Sequence, residues 1–222
     1  MAKKRVSPAK PDLPLKTFAN RAALRAWLEK HHDTSPGMWI LLAKKNSGHR
    51  AVTYLEAIGE GLCFGWIDGQ AKTSSREGFF CVRFVPRRPR SVWSKINRDK
   101  ALKLIQAGLM RPAGTAAIEA ARANGQWDRA YDGASAAVVP DDLASALRAS
   151  PAADAFFRQL DRTNRYSVLW RVQTATTPST RARRITTLVE KLARGERIHP
   201  AATARPAPSS TRRAASPRRQ AR

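Results

Sequence analysis

The spacing of apolar positions predicts an N-terminal unit that combines helices with short strands. Leu24, Trp27, Leu28 and His31 recur at helical spacing after Asn20, whose side chain is of a type that caps helices. Apolar runs of strand length, rich in β-forming residues, occupy residues 38–44, 67–73 and 79–85. We therefore predict a small antiparallel sheet with helices on one side.

Capping signals place three further helices along the N-terminal half of the chain. Thr53 and Glu56 have the spacing of a capping box, and Gly65 suits the left-handed residue that ends a helix. Asn97 is predicted to cap the next helix, and Pro112 suits the first turn of the one after it. These signals extend the helical part of the unit to about residue 125.

The C-terminal half has a purely helical pattern. Asp141 or Asp142 and then Ser150 are predicted as caps. The last helix is the clearest, with an apolar stripe of Ile185, Leu188, Val189 and Leu192. Its opposite face carries four cations, namely Arg183, Arg184, Lys191 and Arg194.

Together these patterns predict the α+β class and a division into segments. Residues 17–125 form an α+β domain, residues 126–140 a linker and residues 141–200 an all-helical domain. The flanking segments, residues 1–16 and 201–222, are basic and rich in Pro or Ser, so we expect both to be disordered.

The charge of the chain is strongly positive and is not confined to its ends. Because the first 16 residues carry +4 and the last 22 carry +6 of the net +24, residues 17–200 carry the remaining +14. A field of this sign attracts phosphate groups, anionic lipid headgroups and acidic partners. We therefore expect an anionic small molecule or acidic partner, and non-specific nucleic acid contact through the basic tails is an open alternative.

Other functional classes find little support in the residues. The sequence lacks an apolar run of membrane-spanning length, so we expect a soluble cytoplasmic protein. Cys63 and Cys81 lie in apolar contexts and are expected to be buried free thiols. The sequence contains no metal-ligand, phosphate-loop or nucleophile motif. We therefore predict no metal, no cofactor and no catalytic residue, and we favour a non-enzymatic function over an enzymatic one.

The most informative segment is residues 62–97, which concentrates aromatic side chains, arginines and one carboxylate. We predict a ligand-binding surface there, formed by Trp66, Asp68, Arg83, Arg87, Trp93 and Asn97 and bordered by Lys44 and Lys45. Guanidinium groups beside aromatic rings suit contact with phosphate, carboxylate or nucleobase groups. Asp68 follows the end of a helix, where it could form a bidentate brace with Arg83 or Arg87, or contact the ligand itself.

Several stretches of the chain resemble the YdeI/OmpD-associated family, also called the bacteriocin-protection family. They include MWILLAKK, EAIGEGLCFGWIDG, VRFVPRRPRSVWSKIN and TRARRITTLVEKLARGERI, in one order over roughly residues 17–200. One departure is Ala175-Thr176, where the family motif often has Ala-Lys. The resemblance implies an α+β domain followed by a helical domain, and a role in tolerance of bacteriocins or cationic antimicrobial peptides, without implying a reaction.

The leading hypothesis is therefore a stress-protection protein that binds an anionic ligand or partner without catalysis. A cationic protein repels a cationic peptide, so protection by direct sequestration is disfavoured. Two alternatives belong to other classes. One is nucleic-acid binding by the basic tails and the cationic face of residues 181–194, and the other is a small-molecule enzyme with Asp68 as its acid or base.

Overall fold

A computed structural model describes residues 12–200 of the chain, which form four strands and eight helices. The strands are β1 (Leu15–Thr17), β2 (Met38–Ala43), β3 (Trp66–Thr73) and β4 (Phe79–Pro86). The helices of the first half are α1 (Arg21–His31), α2 (Tyr54–Cys63), α3 (Lys95–Gln106) and α4 (Pro112–Ala123). Those of the second half are α5 (Asp141–Arg148), α6 (Pro151–Arg158), α7 (Arg162–Gln173) and α8 (Pro178–Ala193). The predicted disordered tail, 201–222, and most of the predicted N-terminal one lie outside the described residues.

The four strands form one mixed sheet in the order β1-β2-β4-β3. β4 is antiparallel to both β2 and β3, which confirms the α+β class, whereas β1 runs parallel to β2. The prediction of a purely antiparallel sheet was therefore wrong, because the short β1, with its LKT sequence, has no apolar run that would distinguish it from a loop. β1 begins within the segment predicted to be a loose terminus.

The capping residues explain most helix boundaries. Asn20 accepts the Ala23 N–H at the start of α1, and Thr53 forms the predicted capping box with Glu56 at the start of α2. The prediction for α3 was wrong by three residues. Ser94 is its cap, and the Asn97 N–H donates to the Ser94 hydroxyl at 3.1 Å, so Asn97 lies inside the first turn.

Apolar side chains divide between two main clusters. The first fills the space between the helices of the first half and one face of the sheet, and includes Leu28, Ile40, Phe84 and Trp93. Trp127, from the predicted linker, also packs into it. The second cluster lies among α5 to α8 and contains the three most buried members of the predicted α8 stripe, Ile185, Leu188 and Leu192. Each half of the chain thus packs around its own apolar centre.

Two further features are the state of the cysteines and the length of the helices. Cys63 and Cys81 are buried free thiols, as predicted. Within residues 12–200, each helix is too short or too polar to cross a bilayer.

Candidate functional site

A cavity of about 340 Å³ lies where β4 ends beside α4. The segment after α1, the α2–β3 turn and the segment that follows β4 complete its wall. We name it the Arg87 cavity, after its only side chain with buried, unpartnered polar atoms among the described residues. Its lining includes Asp33, Phe64, Trp66, Arg87, Trp93 and the alanines at positions 113, 116, 117 and 120.

A glycine lets the main chain close around this cavity. Gly65 has a φ of 71°, and a Cβ atom there would lie 2.7 Å from the Ala113 carbonyl oxygen of α4. The residue ends α2 and at the same time allows α4 to approach. The Gly65 carbonyl then accepts the Arg87 N–H at 2.8 Å, which holds the chain that leaves β4 against the α2–β3 turn.

The Arg87 guanidinium is buried without a carboxylate partner. It lies over the Trp93 ring, 3.7 Å from the ring centroid, and its Nη1 donates to the Val92 carbonyl at 3.2 Å. Its Nε and Nη2 atoms are buried and have no hydrogen-bond partner among the described residues. Burial lowers the pKa of Arg87 to about 10, although Tyr131 and Asp68 both act to raise it. The group therefore still carries its charge at neutral pH.

This arrangement is costly in the protein alone. A buried donor without a partner destabilises the folded state by about 1–3 kcal/mol, and by more when it is charged. Stacking on Trp93 offsets only part of that cost, since a desolvated cation–π contact contributes about 2 kcal/mol. Asp33 also lines the cavity but forms no ion pair with Arg87. An anion with an apolar body would satisfy the free donors and fit the alanine and tryptophan walls.

The predicted brace between Asp68 and an arginine does not form. Asp68 accepts a hydrogen bond from the Tyr54 hydroxyl at 2.7 Å. The pKa of Tyr54 is raised, mainly by burial of the hydroxyl and secondly by this hydrogen bond. Asp68 is opposite Phe84 in the sheet, on the face that packs against the helices. Arg83 is the next residue along β4, so its side chain projects from the opposite face. The prediction overlooked this alternation.

The structure therefore divides the predicted surface between several places. Trp66, Arg87 and Trp93 meet at the Arg87 cavity, and Asp68 lies near enough to affect the pKa of Arg87. Arg83 and Asn97 are not among the cavity's lining residues. The predicted border residues, Lys44 and Lys45, line a separate cavity with His49 and Tyr54.

A second cavity, of about 490 Å³, lies against α7 and α8. We name it the α7–α8 cavity. It brings together three of the four cations predicted on the last helix, Arg183, Arg184 and Lys191. The fourth, Arg194, is the C-cap residue of α8 and pairs with Glu196 at 2.6 Å. The cavity adds three residues that were not predicted as site residues, namely Trp170, Arg171 and Arg197.

Sequence reasoning also missed a buried carboxylate. The Glu60 side chain is fully buried and accepts hydrogen bonds from Arg21 and Arg25, the latter at 2.9 Å. A signal was present, because Glu60 is the only charged residue between Glu56 and Asp68 and has glycine on both sides. Within residues 12–200, no three His, Cys, Asp or Glu side chains are grouped as a metal site requires.

Two family models match different parts of the chain. Residues 136–195 match the family described as Bacteriocin-protection, YdeI or OmpD-Associated. Residues 16–117 match a different model, described as a domain of unknown function (DUF8412). The resemblance predicted from the sequence is thus confirmed for the C-terminal region. Comparisons with curated proteins and with solved structures found no match.

Proposed function

We propose that this protein binds an anionic ligand in the Arg87 cavity and has no catalytic role there. Its residues 136–195 match the YdeI/OmpD-associated (bacteriocin-protection) family. The observation that carries the proposal is the Arg87 side chain, which lines a largely apolar cavity and has two buried nitrogen atoms without a hydrogen-bond partner among the described residues. The preferred ligand is a small carboxylate with a flat or branched apolar body. The carboxylate would accept from Nε and Nη2, and Trp93 would hold the guanidinium plane in position.

The same residues argue for binding and against acid–base chemistry. Asp68, the acid or base of the enzyme hypothesis, is engaged by Tyr54 and is absent from the lining of the Arg87 cavity. Arg87 remains protonated at neutral pH and so cannot accept a proton there. An anion held at this place meets donors of fixed charge and apolar walls, which is the composition of a ligand pocket.

The family relationship suggests the biological setting. We propose that the protein acts in the cytoplasm and contributes to tolerance of bacteriocins or cationic antimicrobial peptides. The net charge of +24 opposes direct capture of a cationic peptide, so the protection would be indirect, through the bound anion or an acidic partner. We further propose that residues 17–125 and 141–200 are separate domains, since each half has its own apolar core.

Titration with a matched pair of probes tests the binding proposal. Benzoate carries the carboxylate, and benzyl alcohol is its neutral counterpart. We expect benzoate, and not benzyl alcohol, to shift the indole N–H resonance of Trp93. Arg87→Met should weaken benzoate binding at least about tenfold, because a hydrogen bond to a charged group contributes about 1.5–3 kcal/mol.

The control for this experiment is Arg83→Met. It removes the same charge from the same part of the chain, on the opposite face of the sheet. Arg83→Met should leave benzoate affinity within about twofold of the unmodified protein, since remote surface charges contribute little. Equal affinity in Arg87→Met and the unmodified protein would contradict the proposal. A cell-survival assay with a bacteriocin, comparing the same two variants, then tests whether protection depends on the cavity.

A further inference from the structure

The α7–α8 cavity concentrates positive charge, although Glu196 lies near Lys191 and Asp161 near Arg197. Five of its lining residues are cations, and none is a carboxylate; the cations are Arg171, Arg183, Arg184, Lys191 and Arg197. Nearby arginines behave differently. Arg181 forms a bidentate pair with Asp142, at 2.6 and 2.8 Å, and this pair lowers the pKa of Asp142. Within residues 12–200, the five cavity cations form no ion pair at contact distance, whereas Arg181 does.

Two of these guanidinium groups are held in place by the main chain. Arg171 donates from Nη1 to the Ser167 carbonyl at 3.0 Å. Arg184 donates from Nη1 to the Arg171 carbonyl at 2.7 Å and to the Thr174 hydroxyl at 3.2 Å. Each guanidinium is thus oriented through a single nitrogen, and its other donors make no hydrogen bond within the described residues. Groups fixed in advance lose less conformational freedom when they bind a ligand.

An aromatic ring completes the cavity. Trp170 lines it, and its ring meets that of Tyr131 edge to face, at a centroid distance of 6.0 Å and an angle of 84°. This contact fixes the orientation of the indole. A flat ring beside several arginines offers stacking to a base or another planar group while the cations bind its charged part.

We propose that the α7–α8 cavity is a second binding site, which takes a small molecule with two or more adjacent phosphate groups, such as a nucleoside di- or triphosphate. Five cations match the charge of a polyphosphate better than that of a monocarboxylate. The volume of about 490 Å³ is within the range of small-molecule pockets, about 300–1,000 Å³. A nucleic acid strand would instead need a basic track that continues past the cavity, and Arg194 beyond it is paired with Glu196.

The test compares two double variants that remove the same charge. Arg183→Gln with Lys191→Gln removes two exposed cations of the cavity, whereas Arg148→Gln with Arg158→Gln removes two exposed cations of the same helical region outside it. We expect ATP to bind the unmodified protein with 1:1 stoichiometry by calorimetry and to quench tryptophan fluorescence. The cavity variant should lose at least about tenfold in affinity, and the control variant less than about twofold. Thermal unfolding checks that both variants fold.

Several results would overturn the proposal. One is the absence of saturable ATP binding to the unmodified protein. Another is an equal loss of ATP affinity in the two double variants, because it would indicate that ATP is attracted by the overall positive charge and not by the cavity. If a 20-nucleotide single-stranded DNA binds, if this binding depends on Arg183 and Lys191, and if ATP does not bind, the cavity is a nucleic-acid site. Binding confined to vesicles of anionic phospholipid would assign it to a membrane surface. Arg87→Met should bind ATP normally, so the two sites can fail independently.

Discussion

At the scale of single residues, two buried charged groups have opposite surroundings. The Glu60 carboxylate is fully buried and has two arginine partners, so its charge is compensated within the protein. The Arg87 guanidinium is also buried but has no acidic partner within residues 12–200, and burial lowers its pKa. The first charge becomes destabilising only when a partner is removed, whereas the second is a candidate for contact with a ligand.

Replacing Glu60 should be strongly destabilising. Glu60→Ala leaves the partly buried Arg25 without its closest acceptor, and breaking a buried ion pair costs about 3–5 kcal/mol. Urea unfolding followed by circular dichroism measures the change in the free energy of unfolding.

The control for Glu60 is Glu29, which is half-exposed and pairs with Arg25 and Arg111 at the surface. Glu29→Ala should cost no more than about 1 kcal/mol, because exposed ion pairs contribute little. Similar losses in the free energy of unfolding of the two variants would show that the buried ion pairs of Glu60 contribute no more to stability than the exposed ones of Glu29.

At the scale of elements, the close approach of α4 to α2 forms one wall of the Arg87 cavity. Gly114 in α4 lies against the end of α2, and a Cβ atom there would be 2.3 Å from the Cys63 carbonyl oxygen and 2.4 Å from the Met110 sulfur. Helix backbones come this near only where a side chain is absent. The geometry of the cavity therefore depends on small residues at the contact between the helices.

Gly114→Ala should separate the two helices and weaken the site. Inserting a methyl group into a tightly packed contact costs about 1–3 kcal/mol, and we expect benzoate affinity at the Arg87 cavity to fall with it. Gly59→Ala in α2 is the matched control, since a Cβ atom there meets nothing within 4 Å. It should stabilise the protein by about 0.5–1 kcal/mol, because alanine is the better helix former. Thermal unfolding of both variants checks the opposite signs, and a destabilised Gly59→Ala would contradict this account of α2.

At the scale of the whole molecule, the positive charge serves more than one purpose. Part of it is held by carboxylates, as at Glu60 and Asp142, and part is gathered around the two cavities. The last 22 residues add six arginines that lie outside the described part of the chain. Binding of nucleic acid by these arginines can be tested independently of the two cavities.

Deleting residues 201–222 should reduce retention on double-stranded DNA at low salt. The affinity of the full chain should fall steeply as salt rises, because binding releases counterions from the phosphates. Without six arginines, the slope of log affinity against log salt should become shallower by up to about five. Affinity and slope that survive the deletion would rule out the tail as the source of nucleic-acid binding, while ATP binding by the α7–α8 cavity should be unaffected.

Local signals in the sequence were sufficient for the elements whose physics is local. The caps Asn20 and Thr53 depend on hydrogen bonds within four residues, and the apolar stripe of α8 depends on helical spacing alone. The short strand β1 escaped prediction, because pairing with β2 and not its own residues makes it a strand. Asn97 was misread because Ser94, three residues earlier, is an equally good cap.

The sequence by itself determined the α+β class, the excess of positive charge and the resemblance of residues 136–195 to the YdeI/OmpD-associated family. Only the tertiary structure decided which charges have partners. Asp68 binds Tyr54 and not an arginine, because the alternation of side chains in β4 sends Arg83 to the other face. Arg87, Trp66 and Trp93 line one cavity, whose wall on the α4 side depends on the close approach of Gly65 to Ala113. These contacts depend on how the strands and helices pack against one another, so the spacing of residues along the chain does not reveal them.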